Sequence, residues 1–177
     1  PTIGDYGLCA SLYAHLGRDP HPLRLMQKKA QMLLRWTERM RNPSADMVEF
    51  IGRDESLLDD DNIPDTLEVL LRRVASDYLP EVEAMVSFTN EWLAENQPTE
   101  NAVVGGESLG RGIGKCQFAW RGQQVTAVVM PYRIFMLQRI QDAYDGLNEA
   151  AQKQVDGLLG ETGLLSIIHT RADRRVE

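Results

Sequence analysis

Between Lys115 and Pro131 the spacing of apolar residues changes from helical to alternating, in the run KCQFAWRGQQVTAVVMP. Cys116, Phe118 and Trp120 fall on one face of a strand, and a β-branched run from Val125 to Val129 returns. Arg121-Gly122 between them is a two-residue turn, so the stretch predicts a β-hairpin near residues 115–130. Two strands alone are not stable in water and need a surface to lie on. Everywhere else the apolar spacing is that of helices. The expected fold is therefore mainly α, with one hairpin inserted and packed on the helices or on whatever lies upstream.

The first helix is expected from Thr2 to about Leu16, where Ile3, Tyr6, Leu8 or Cys9, Leu12, Tyr13 and Leu16 recur and Gly17 is a C-cap. Pro20 and Pro22 suit a second start, and Leu23 to Met40 is strongly periodic, ending before Asn42-Pro43. Residues 43–63 read as a connector with one short turn at Met47–Phe50. Pro64-Asp65 opens a third helix and Pro80 a fourth, or the two are one long helix that absorbs the proline as a bend. After a glycine-rich loop (96–114) and the hairpin, Pro131 opens a helix over Tyr132 to about Leu147. Asn148 caps another, ending near Gly160 to Gly163. The chain closes on LLSIIHTRADRRVE, a short apolar segment with a charged end.

Charge narrows the function classes. A formal charge of −7 argues against nucleic-acid binding, which needs a net basic surface. The basic cluster Arg24, Lys28, Lys29, Arg35, Arg39 and Arg41 is interleaved with Leu25, Met26, Leu33, Leu34 and Trp36. It reads as the solvated face of an amphipathic helix, or secondarily as a surface for an acidic partner. The acidic run DESLLDDDN from Asp54 lacks the glycine and terminal glutamate of a helix–loop–helix calcium site, and reads as a solvated linker. No run approaches the length of an apolar membrane span, and no signal-peptide pattern opens the chain. A cytoplasmic location without membrane contact is the expectation.

No catalytic constellation is visible. GESLGRGIGK ends in Gly-Lys, but the position of the first phosphate-loop glycine is Leu109, Cys116 follows Lys115, and the run leads into a strand. Ser108 lies in Gly-Glu-Ser-Leu-Gly, in a run that leads into a strand rather than opening a helix as a nucleophile elbow must. His15, His21 and His169 match no zinc spacing, and His15 suits a helix C-terminus. Cys9 and Cys116, far apart in sequence, read as reduced and buried. The most site-like group is MPYRIFMLQR, which brings Tyr132, Arg133, Gln138 and Arg139 together just after the hairpin. Tyr132, Phe135 or Met136, and Arg139 share a helix face, and Arg139 could hold an anionic ligand or a buried carboxylate such as Asp142. The alternative is a structural polar contact tying hairpin to helix.

The opening PTIGDY resembles the capping motif of helix six in glutathione transferases, which reads Ser or Thr, an apolar residue, a small residue, Asp, then an aromatic or apolar residue. The resemblance makes Thr2 and Asp5 the reciprocal capping pair and Tyr6 the staple partner of Pro1. Gly4, where alanine is usual, and Pro1 depart from the pattern. The runs LYAHLGRDPHPLRLM, RWTERM, IPDTLEVLLRRV and FMLQRIQD, together with the hairpin, are similar to a group of long bacterial transferase-like proteins. The resemblance implies a helical bundle of the transferase C-terminal-domain type. Residues 1–43 would be the end of that domain and 44–177 a helical extension carrying the hairpin, packed with 1–43 as one unit. It also implies that the chain is the C-terminal part of a longer protein. Glutathione and the residue that activates its thiol belong, in this family, to an N-terminal thioredoxin-like domain. This segment would hold no cofactor and no metal. Its implied partners are that missing domain and, as a further possibility, a second copy in a homodimer. The alternative is a non-enzymatic binding or assembly module.

Overall fold

The computed structural model describes residues 3–41, 58–59, 62–99 and 111–176. Thr2 and Pro1 of the capping motif, the connector through residue 57, part of the acidic run and the glycine loop from 100 to 110 lie outside the described residues. The chain divides into two compact units, Pro1–Leu58 and Asp59–Glu177.

In the first unit α1 (Ile3–Ser11) runs directly into a π-helical segment, Leu12–Leu16. The wider winding ends at Gly17, whose N–H donates to the carbonyl of Leu12, five residues back, at 2.6 Å. Gly17 is the C-cap, but its φ of −73° is right-handed. Its role is close approach: a Cβ there would lie 2.8 Å from the Leu12 carbonyl oxygen. Asp19 then caps α2 (Pro20–Lys29), accepting from the His21 N–H at 3.3 Å, with proline in the first turn.

The spacing predicts one helix over Leu23–Met40, whereas the structure has two. They part at Ala30, where φ is −141° and ψ 51°, and α3 occupies Gln31–Arg41. Alanine has the strongest helix preference of any residue, so no local signal marks this break. Its consequence is that the basic residues do not share one helix: Arg24, Lys28 and Lys29 stand on α2, and Arg35, Arg39 and Arg41 on α3. Leu12, Met26 and Thr37 are buried in this unit, while Ile3, Tyr6, Leu8, Leu16, Leu25 and Met32 are exposed, Ile3 at 91%.

The second unit is built on α4 (Asp65–Asn96), one continuous helix with Pro80 inside it. Proline offers no N–H to the carbonyl of Ser76, and the helix carries this single missing bond because its far half is deeply packed. Val82, Met85, Val86 and Leu93 form the core with Cys116, Val129, Ile134 and Leu137. The helix closes at Gln97, a left-handed cap with φ 41°.

The hairpin lies on α4. Strands β1 (Gly114–Trp120) and β2 (Gln123–Val129) are antiparallel, with Trp120 opposite Gln123 and Gly114 opposite Val129. Arg121 and Gly122 both have positive φ, the geometry that matches strand twist in a two-residue loop. Gly114 is dictated by α4, since a Cβ would meet the Phe88 ring at 2.2 Å.

After the hairpin come α5 (Pro131–Asp145) and α6 (Glu149–Thr162). The Asn148 side chain caps α6, accepting from the Ala151 N–H at 3.0 Å, and Gly163 ends it with φ 78°. A short α7 (Ser166–His169) leads to Thr170–Val176, which runs back along α4 and α5. Its last described residue, Val176, is part of the core. Among the described residues no helix is long and apolar enough to cross a membrane.

Candidate functional site

The residues of MPYRIFMLQR separate onto different faces of α5. Tyr132, Phe135 and Arg139 stack along its outer side, three to four residues apart as helical geometry requires. The Tyr132 and Phe135 rings are 6.5 Å apart, and the Arg139 guanidinium lies 6.0 Å from the Phe135 ring. Asp142, the carboxylate expected to pair with Arg139, is exposed and pairs with Arg175 instead, through contacts of 2.7 and 2.5 Å. The sequence cannot show this, because Arg175 is brought to α5 only by the return of the C-terminal segment.

The polar contact that enters the interior belongs to Arg133. Its Nη1 donates to Glu81 of α4 at 2.6 Å, and its guanidinium lies 5.5 Å from the Tyr78 ring. Both side chains of the pair are mostly covered, and the Glu81 hydrogen bond holds the guanidinium proton more firmly than usual. Glu81 and Tyr78 are residues of this candidate site that the sequence reading passes over. The available signal was a carboxylate set between Leu79 and Val82 on a face otherwise apolar.

Beside this pair α4 and α5 part around a cavity of about 120 Å³. Tyr78, Val82 and Met85 line it from α4, and Ile167 of α7 closes another side. From α5 come Tyr132, Arg133 and Leu137, with Met136 and Ile140 at the wall. Met85 is 1% exposed and Tyr132 68%, so the cavity runs from the core to an open mouth. The Arg133 charge is already matched by Glu81. What remains is an apolar recess with a phenol at its entrance.

Deeper along α5, two glutamines hold the C-terminal segment. Gln138 donates to the Arg174 carbonyl at 2.9 Å and accepts from the Val176 N–H at 3.1 Å. Gln141 donates to the carbonyls of Ile167 and Thr170, both at 2.9 Å. Asn90 of α4 donates to the Arg171 carbonyl at 3.1 Å and accepts from the Asp173 N–H at 2.8 Å. Arg171 adds a bidentate pair with Asp145, both contacts 2.7 Å. The neighbouring guanidinium holds each carboxyl, Asp142 and Asp145, below its ordinary value.

The remaining titratable groups stay apart. Cys116 is buried in β1, and burial pushes its thiol up, away from the thiolate; Cys9 in α1 is half-buried. His15 ends the π-helical segment, His21 is in the first turn of α2 and His169 ends α7. Among the described residues no three His, Cys, Asp or Glu side chains are grouped to hold a metal. Asp5 stands in the first turn of α1, half-buried, beside exposed Tyr6. No protein-family model, curated protein or solved structure matches the chain.

Proposed function

We propose that this chain is the helical, substrate-side part of a glutathione transferase-like protein, of cytoplasmic location. The thiol-activating machinery then resides in a thioredoxin-like domain N-terminal to it. The observation that carries the reading is the uncovered apolar side of the first unit. Ile3, Tyr6, Leu8 and Leu16, all large apolar side chains, are all exposed. So many large apolar side chains exposed in one short helical unit suit burial against another element. The reading supplies that element as the thioredoxin-like domain and the helices that precede the capping motif. Asp5 stands in the first turn of α1, the place the capping motif gives it. Glutathione is bound by the whole protein in this reading and not by the segment.

The test is a thermal melt of this chain with millimolar glutathione, alongside a melt of the chain extended by the natural residues that precede Pro1. A ligand or a domain that favours the folded state raises the melting temperature by mass action. The expected result is no glutathione shift for the chain alone, and both a higher melting temperature and a saturable glutathione shift for the extended form. A saturable shift with the chain alone, or an extended form without a thioredoxin-like fold, overturns the proposal. A second reading, a non-enzymatic binding module, is favoured by the exposed cationic row Arg24, Lys28 and Lys29 on α2, which suits an acidic partner surface.

A further inference from the structure

We propose that the cavity between α4 and α5 is a binding site for one neutral, monocyclic aromatic ring. The inference goes beyond the transferase-like reading, because every wall of the cavity belongs to the second unit and none of the argument involves glutathione.

Size sets the first limit. The recess is about 120 Å³, close to the engineered apolar cavity of about 150 Å³ that stays dry and takes up benzene in another protein. A single ring fills such a space, and a fused ring system exceeds it.

The lining sets the second. Tyr78 and Tyr132 offer ring surfaces, and Met85 and Met136 offer thioethers, both of which favour an aromatic guest over an alkyl one. Met85 is at the buried end, whereas Tyr132 and Met136 are at the exposed end, so a ring can enter without unfolding the core.

Charge sets the third. The cation in the wall, Arg133, is 2.6 Å from Glu81 and is matched by it. A carboxylate-bearing ring would lose its hydration and find that cation already paired, and an ammonium would meet Arg133 itself. A neutral ring carries neither cost. The Tyr132 hydroxyl at the mouth can donate to or accept from one polar substituent.

The experiment is a methyl NMR titration of the full chain with fluorobenzene, phenol and benzoate, following the methionine methyl groups. Fluorobenzene and phenol should shift the Met85 and Met136 signals saturably and leave Met26 of the first unit unmoved, and benzoate should shift none of the three. Met136→Trp and Ile140→Trp, both at half-exposed positions, place an indole in the recess and should weaken fluorobenzene binding roughly tenfold or more, the equivalent of one ring contact. Two such variants guard against one failing to fold. Non-saturating shifts spread over all methionines, equal binding of benzoate, or unaltered binding in a folded filled variant would each overturn the proposal. So would concentration-dependent broadening of Met136 without any ligand, which would make the face an interface between copies.

Discussion

Gln138 and Val176 are joined in a way that makes the C-terminal segment part of the fold. The Gln138 side chain accepts from the Val176 N–H at 3.1 Å and donates to the Arg174 carbonyl at 2.9 Å, so one amide pairs both edges of the returning backbone. Val176 itself is 1% exposed among the residues of α4 and α5. Gln138→Ala leaves both backbone groups unpaired and should cost about 1–3 kcal/mol. Val176→Ala should cost roughly 1–3 kcal/mol through lost burial and the cavity left behind. Chemical denaturation of each variant measures both, and an unchanged midpoint for Val176→Ala would show that the segment is not seated in the core.

Acid should loosen the C-terminal segment. Asp142 and Asp145 are held below their ordinary value of 3.8 by Arg175 and Arg171. The folded state therefore binds fewer protons than the unfolded state in this window. The stabilisation is complete above the ordinary carboxylate value and is lost as pH falls through the lowered folded values. Amide exchange at Val176 should accelerate as pH drops below about 4, after correction for intrinsic rates. Asp142→Asn should remove part of that pH dependence, and added salt should weaken it because these pairs are exposed. Exchange at Val176 independent of pH would contradict this.

Gly114→Ala should loosen the hairpin from α4. The new methyl would overlap the Phe88 ring, whose nearest atom is 2.2 Å from the Cβ position. Overpacking of this kind costs about 1–3 kcal/mol. The double variant with Phe88→Ala should lose less than the sum of the two single losses, because the clash is shared. Additive losses in a denaturation cycle would place the effect elsewhere.

Thiol labelling should distinguish the two cysteines. Cys116 is buried, and burial raises its thiol, so it is rarely a thiolate and rarely accessible. Cys9 is half-buried in α1. Under native conditions an alkylating reagent should modify Cys9 first, with Cys116 reacting at the rate of opening of the second unit. Mass mapping during a time course decides it, and Cys116 reacting first would contradict the packing of β1.

Removing the interior ion pair tests the wall of the cavity. Arg133→Met leaves the half-buried Glu81 without its guanidinium and should destabilise by roughly 1–3 kcal/mol. Arg133→Met combined with Glu81→Leu should recover much of that loss. Denaturant midpoints report both, and a double variant as unstable as the single one would mean that the pair does more than neutralise itself.

Much of the architecture follows from local chemistry. The alternation over 115–130 and the Arg121-Gly122 turn specify the hairpin, since a twisted pair of strands needs positive φ at both loop residues. Pro64, Pro131 and Asn148 mark helix starts because of their backbone and hydrogen-bonding limits. The shared face of Tyr132, Phe135 and Arg139 is equally a matter of helical spacing. Other features depend on distant partners and leave no local trace. Ala30 breaks a helix against its own preference, and Pro80 stays within one. Gly114 is required by Phe88, and Arg133 turns to Glu81 while Asp142 turns to Arg175. Periodicity and capping act within a turn or two of the chain, so sequence alone determined most of the elements but not the break at Ala30. Which carboxylate meets which cation, and which groove receives the last residues, depends on side chains tens of positions apart. Only tertiary packing brings those together.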